Sequence, residues 1–216
     1  MLEERTYSIK ELSAILGTNS KQATDRKLEA NKVKYIVEGR GDKSTYTIIK
    51  IQDRFRVFCI FDLGFDPHTD FTKLRDFIFY LLGDADFSWR PMEMMEEYLR
   101  IEGKSISRQT ISKYIARLKN LNLIAGTDFV YYRVYRCGDI QKHELITKEE
   151  YSKAWAIYWD MKNHDYDSAT AFKTMYCVSG GVPRKQRKLE QNAICQDTLS
   201  LLSELVAESF LLENDG

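Results

Sequence analysis

The chain of 216 residues carries 32 Lys/Arg against 32 Asp/Glu, is 44% hydrophobic and 12% aromatic, and holds three prolines and eleven glycines. That balance excludes a low-complexity or linker-rich chain. It describes a globular protein long enough to bury roughly 70% of its unfolded surface without a disulfide or a metal.

The longest uncharged apolar run, residues 77–82, is far short of the ~18 residues that a membrane span needs. The opening MLEERTYSIK lacks the apolar stretch of a signal peptide. No membrane is expected, and the cytoplasm is the expected compartment. Cys59, Cys137, Cys177 and Cys195 lie 78, 40 and 18 residues apart, so no CxxC pair exists. Free thiols are expected, with no metal and no cofactor.

Zero net charge argues against a nucleic-acid partner until the charge is sorted along the chain. Residues 1–57 hold 12 Lys/Arg against 8 Asp/Glu, residues 58–98 hold 3 against 9, and residues 99–142 hold 9 against 3. Residues 143–182 and 183–216 hold 4 against 6 each. Two basic blocks flank a strongly acidic one, and this asymmetry says more about partners than the net value does.

In the first basic block, Thr6 and Tyr7 predict a short strand and Ser8 an N-cap. Glu11, three residues on, completes a capping box that satisfies two orphan backbone donors. Ile9, Leu12, Ile15 and Leu16 follow at helical spacing, and Gly17 ends the helix. After the turn Thr18-Asn19-Ser20 a second helix is predicted over residues 21–30, in either of two registers. Ala23, Lys27 and Ala30 face inward in one, Thr24 and Leu28 in the other. Two strands, 33–38 and 44–51, surround the tight turn Gly39-Arg40-Gly41-Asp42. Helix, turn, helix and hairpin is the layout of a helix-turn-helix with a wing. The phrase Tyr-Ser-Ile-Lys-Glu-Leu-Ser-Ala-Ile-Leu-Gly at residues 7–17 resembles the opening of MerR-like and excisionase-like winged helix-turn-helix domains. Candidate DNA contacts in this unit are Thr18, Asn19, Ser20, Lys21 and Gln22, with Arg40 and Lys43 from the wing.

Residues 52–69 are too apolar for a flexible tether and predict a strand or packed connector. The acids from Asp62 to Asp86 predict a solvated face, since their spacing fits no calcium loop.

A second unit is predicted over residues 70–142. Asp70 caps a helix with Phe71, Leu74, Phe77, Ile78, Leu81 and Leu82 at three-to-four spacing. Pro91 suits the first turn of a second helix, with Met94, Met95, Tyr98 and Leu99 on one face and an end near Gly103. Ser107 caps a third helix over residues 108–120. Strands 121–125 and 129–136 are predicted around Gly126-Thr127-Asp128. The run Ser-Ile-Ser-Arg-Gln-Thr-Ile-Ser-Lys-Tyr-Ile-Ala-Arg-Leu-Lys-Asn-Leu-Asn-Leu-Ile at residues 105–124 resembles the recognition helix of GntR-type winged-helix proteins.

At 100° per residue, Ile111, Ile115 and Leu118 share one side of that helix, and Gln109, Lys113 and Ala116 lie opposite. An amide there suits an adenine edge, and a cation suits guanine or a phosphate. Ser107 and Arg108 at the helix start are candidate phosphate contacts. Thr110, Ser112 and Arg117 complete the candidate set.

Beyond, Thr147 and Glu150 predict a capping box opening a helix to about residue 163, striped with Tyr151, Trp155, Tyr158, Trp159 and Lys162. The spacing of Tyr151, Trp155 and Trp159 resembles the Tyr-xxx-Ile-xxx-Trp motif of DnaD-type replication proteins, though such stripes are usually core packing. A shorter helix, 168–178, precedes the breaker Ser179-Gly180-Gly181-Val182-Pro183. The basic run 184–188 reads either as a backbone-tracking patch or as a solvated helix start.

A last helix, 188–212, carries two apolar stripes. One is Ile194, Leu201, Leu205 and Leu212, and the other is Cys195, Leu199, Leu202, Val206 and Phe210. Two stripes predict a homodimer through this helix.

No HExxH, phosphate loop, GxSxG or Cys-His arrangement is present, so no catalysis is expected. The expected protein is mainly α with small β-hairpin wings (α+β). Two winged helix-turn-helix units, 1–57 and 70–142, are joined by a connector at 58–69 and followed by a helical region at 143–216. The expected activity is sequence-specific binding of double-stranded DNA, as a transcriptional regulator. A replication initiator or a protein-interaction scaffold is the alternative.

Overall fold

The computed structural model describes residues 1–214, apart from the side chains of residues 85, 86, 213 and 214. Asp86 of the predicted acidic face therefore lies outside the described side chains. The protein is α+β, with two three-stranded antiparallel sheets ordered β1-β3-β2 and β5-β4-β6. It divides into two compact units, one comprising Met1–Gly83 with the segment from Ile194 onward, the other Asp84–Ala193.

The first unit opens with β1 (Thr6–Ser8) and α1 (Ile9–Leu16). The capping box is present: the Glu11 amide donates to Ser8 Oγ at 3.3 Å, and the Ser8 amide donates to Glu11 Oε2 at 2.9 Å. Gly17 closes α1 at φ 59°, the left-handed conformation that costs glycine least. Helix α2 (Lys21–Ala30) and strand β2 (Val33–Glu38) follow at the predicted bounds, and β3 (Thr45–Ile51) begins one residue later than predicted. Leu12, Leu16, Leu28, Tyr46 and Ile48 make the centre of this core.

Helix α2 takes the Thr24/Leu28 register; both residues are fully buried, while Lys27 and Ala30 are exposed. A polar residue is tolerated there because its hydroxyl is satisfied. Thr24 Oγ1 donates to the Ser20 carbonyl at 3.1 Å and lies 2.7 Å from Thr18 Oγ1 and 3.2 Å from Ser13 Oγ.

Residues 52–69 are packed, but as helix α3 (Arg54–Phe61) rather than a strand. Asp53 caps it by accepting from the Arg56 amide at 2.8 Å. Phe55, Val57, Phe58 and Cys59 are buried, so its composition shows no helical period. Helix α4 (Phe71–Gly83) buries Phe71, Leu74, Phe77, Ile78 and Leu81. It belongs to the first unit, not to the unit predicted from residue 70.

In the second unit, α5 (Met92–Ile101) and α6 (Arg108–Asn120) fall where the spacing places them, with Pro91 at the N-cap position of α5. The strands differ. Strand β4 runs unbroken from Ile124 to Cys137, and Gly126-Thr127-Asp128 is no turn. There the register against β6 shifts, with the two residues Thr127 and Asp128 facing the single Lys188, a β-bulge. The hairpin turn is Gly138-Asp139, closing β4 onto β5 (Ile140–Ile146), with Gly138 at φ 62° as a two-residue turn requires.

Helices α7 (Lys148–Asn163) and α8 (Ser168–Ser179) pack on each other, burying Ala154, Ala171 and Met175. The aromatic stripe of α7 is not core: Trp159 is 58% exposed and Tyr151, Trp155 and Tyr158 are half-buried. Residues 182–191, predicted to be a turn leading into a helix, are strand β6 (Val182–Gln191), paired with β4 from Ile124 to Val134. The last helix, α9 (Gln196–Asn214), starts later than predicted and belongs to the first unit. The region 143–216 is thus neither all-helical nor one domain.

Four helix-start carboxylates have pKa values below the ordinary range. The Ser8, Lys73 and Thr147 amides donate to Glu11, Asp70 and Glu150, while for Asp167 the Thr170 hydroxyl is the foremost donor. A depressed folded pKa contributes stability that is present above about pH 4, the unfolded value, and is lost as pH falls through the folded one. The double variant Glu11→Gln, Glu150→Gln keeps an acceptor at both boxes but removes two of these titrations. Thermal melts should fall less steeply below about pH 4 in the variant than in the wild type. Parallel curves would refute the assignment.

Candidate nucleic-acid interface

Helix α6 buries Ile111, Tyr114 and Leu118 against its unit and turns Gln109, Ser112, Lys113 and Ala116 outward, all exposed. Ile115, predicted to point inward, is half-buried, and Tyr114 takes the central place. The outward strip offers an amide at the helix start, a cation one turn on, and a small residue on the next turn. The preceding turn is closed by Ser107, whose Oγ accepts from the Thr110 amide at 3.4 Å and lies 3.1 Å from Thr110 Oγ1. Thr110 and Arg117 are half-buried and stand apart from the strip.

The start of α6 has a different electrostatic character from that expected. Arg108 Nε lies 3.0 Å from Glu96 Oε2, its Nη1 lies 3.5 Å from Glu93 Oε1, and its backbone amide donates to Glu96 Oε1 at 3.2 Å. Two carboxylates of α5 therefore occupy the place where a phosphate was expected. Arg108 remains exposed but engaged, and the other exposed cations of α6 lie further along it, at Lys113 and Lys119.

Past the bulge, β6 adds a basic edge. Arg187 stands opposite Phe129 and Lys185 opposite Tyr131 in the ladder, and both cations lie 5.0 Å from the centre of the Phe129 ring. On the other sheet face, Arg184 pairs in register with the buried Tyr132, whose ring lies 6.0 Å from that of His143. Burial lowers the pKa of His143, which Glu93 opposes and Arg184 reinforces. Burial likewise raises the Tyr132 hydroxyl.

In the first unit, Asn19, Ser20 and Gln22 are exposed, and Ser20 Oγ accepts from the Ala23 amide at 3.2 Å. Thr18 is half-buried against Thr24, and Lys21 is half-buried. Arg40 and Lys43 are exposed at the hairpin tip, where a 3₁₀ turn spans Gly41–Lys43.

The acids of α2 are turned to the hairpin. Tyr46 donates to Asp25 Oδ1 at 2.7 Å and Tyr35 to Glu29 Oε1 at 3.3 Å. Burial, then Asp25 and Glu29, push the Tyr35 hydroxyl up to about 12. With these acids engaged, the outer side of α2 presents Gln22 and, one turn on, Arg26, both exposed. Arg26 escaped the sequence reading because it becomes an outward residue only once the Thr24 register is chosen.

No group of three or more His, Cys, Asp or Glu that could hold a metal occurs among the described residues, and none of the described helices is long and apolar enough to cross a membrane. No protein-family model, no curated protein and no solved structure matches this chain.

Proposed function

We propose that this chain binds double-stranded DNA in a sequence-specific manner, without catalysis, through two winged helix-turn-helix units, and acts in the cytoplasm as a transcriptional regulator. The observation that carries the reading is the outward strip of α6: Gln109, Ser112, Lys113 and Ala116 are exposed together on a helix that a capped turn precedes and a β-hairpin follows. A strip of that composition can bond base edges in a major groove, where an amide reads adenine and a cation reads guanine. The first unit supplies the same element order, α1, turn, α2 and a β2–β3 hairpin, with Gln22, Arg26, Arg40 and Lys43 outward.

A homodimer through α9 belongs to this reading, with Leu211 and Leu212 on the helix and Ile194 just ahead of it exposed to 67%, 65% and 92% as the apolar surface for it. A replication-organiser role is favoured by one observation, the outward aromatic face of α7, where Trp159 is free to meet a partner.

The test is selection from a pool of random duplexes followed by anisotropy titration in rising salt. Enrichment of one motif, with affinity falling steeply as salt rises, is the expected result. Sites confined to promoters favour the regulator and arrays of repeats the initiator. Absence of binding at low salt overturns both.

A further inference from the structure

Four of the second unit's eight arginines pair with carboxylates among the described residues: Arg90 with Asp84 at 2.8 Å, Arg100 with Glu97 at 2.6 Å, Arg133 with Glu144 at 2.7 Å, and Arg108 with Glu93 and Glu96. On β6 itself, Lys188 lies 3.2 Å from Glu190. Lys119, Lys185 and Arg187, by contrast, are gathered at one place and have no carboxylate partner among the described residues.

The bulge of β4 gathers them. A methyl group built on Gly126 would sit 3.2 Å from Arg187 Cδ and 3.7 Å from Lys119 Nζ, so the end of α6 and the edge strand meet over a glycine that leaves room for both. Arg187 Nη1 donates to the Thr127 carbonyl at 3.3 Å, which anchors the guanidinium at the bulge. Phe129, 44% exposed, holds Lys185 and Arg187 each 5.0 Å from its ring centre. Cations lying side by side on one sheet face repel one another, and an aromatic ring between them reduces that cost. Three uncompensated cations held together form a site for an anion.

We propose that Lys119, Lys185 and Arg187, assembled around Phe129 at the β4 bulge, grip the phosphate backbone of the duplex that α6 reads. The proposal rests on the duplex-binding reading above. It relocates the phosphate contacts of this unit from the start of α6, where Glu93 and Glu96 hold Arg108, to the far end of the helix and the edge strand. Lys119 stands ten residues beyond Gln109, about 15 Å along the helix at ~1.5 Å per residue, so base and backbone contacts form one continuous track. Edge-strand lysines also deter strand pairing between molecules, but that role calls for no clustering with Lys119 across the bulge.

The experiment uses the full chain, the double variant Lys185→Gln, Arg187→Gln, the single variant Lys119→Gln, and a labelled random-sequence duplex, titrated by anisotropy across a salt series. A labelled single strand of the same length serves as a second probe. Each neutralised phosphate contributes about −0.9 to the slope of log affinity against log salt. The double variant should therefore bind the duplex with a slope shallower by about 1.8, and the single variant by about 0.9, with the selected motif unchanged. Circular dichroism checks that both variants remain folded.

A wild-type slope in both variants overturns the patch and leaves the duplex reading standing. A loss seen on the single strand but not on the duplex overturns it too, by assigning the patch to unpaired nucleic acid. If the wild-type chain binds no duplex at low salt, the duplex reading fails and the patch proposal falls with it.

Discussion

Leu202→Ala is expected to cost the first unit about 2–5 kcal/mol, while Leu212→Ala costs it less than about 0.5 kcal/mol. Both residues lie on α9 and both belong to an apolar stripe, yet Leu202 is 1% exposed and Leu212 is 65% exposed. Leu199, Leu205 and Val206 are as buried as Leu202. They close the first unit from the opposite end of the chain, with Arg54 and Glu208 pairing at 3.0 Å and the Arg75 guanidinium 4.4 Å from the Phe210 ring centre.

A loss of that size is a large share of the ~5–15 kcal/mol that holds a domain together. Trp89, Trp155 and Trp159 all lie in the second unit, so tryptophan fluorescence follows that unit while far-UV circular dichroism follows both. In a urea titration of Leu202→Ala, the dichroism should begin to fall at lower urea than the fluorescence. Equal effects of the two substitutions would mean that α9 is an arm held by a partner rather than a part of its own core.

That distinction was hidden in the sequence for a definable reason. Periodicity marks both stripes but does not say how far along the helix the domain's own surface reaches: Leu205 is buried, while Leu212, two turns on in the same stripe, is exposed. The capped helices were far more legible. Ser8 with Glu11, Ser107 with Thr110, and Thr147 with Glu150 mark helix starts because a side-chain oxygen and an orphan amide must meet within three residues. That requirement is local and leaves a mark in any sequence.

The strands of the second unit left weaker marks. Residues 184–188 combine Arg, Lys and Gln, all good helix formers, and only the ladder to β4 makes them extended. Gly126-Thr127-Asp128 has turn composition because a bulge and a turn both call for small or polar residues. Which of the two forms depends on the partner strand, and the facing residues of β6, Lys188 and Leu189, lie far along the chain. Arg187 and Lys185 reach Phe129 through that same long-range pairing, so the basic patch had no local signature. The α6 strip had one, since a helix of thirteen residues with one apolar face leaves its other face determined.

Gln109 and Lys113 are expected to fail differently when replaced by alanine. A side chain bonding a base edge contributes about 1–3 kcal/mol to discrimination between bases, roughly 5- to 150-fold in relative affinity. Gln109→Ala should therefore relax the selected motif at one position while leaving the salt dependence intact, because an amide releases no counterion. Lys113 is a cation one turn further on, exposed and beside the small Ala116. If it meets a base, Lys113→Ala relaxes a second, neighbouring position. If it meets a phosphate, the motif survives and the salt slope becomes shallower by about 0.9.

Ala116 supplies the steric control. If α6 enters a major groove as proposed, a leucine there would project into the space between helix and groove, so Ala116→Leu should abolish specific binding although the exposed position tolerates it in the folded chain. Motif selection and salt titration on the three variants separate these outcomes. If all three bind the wild-type motif with wild-type affinity, α6 does not enter the groove, and the exposed strip serves a protein partner instead.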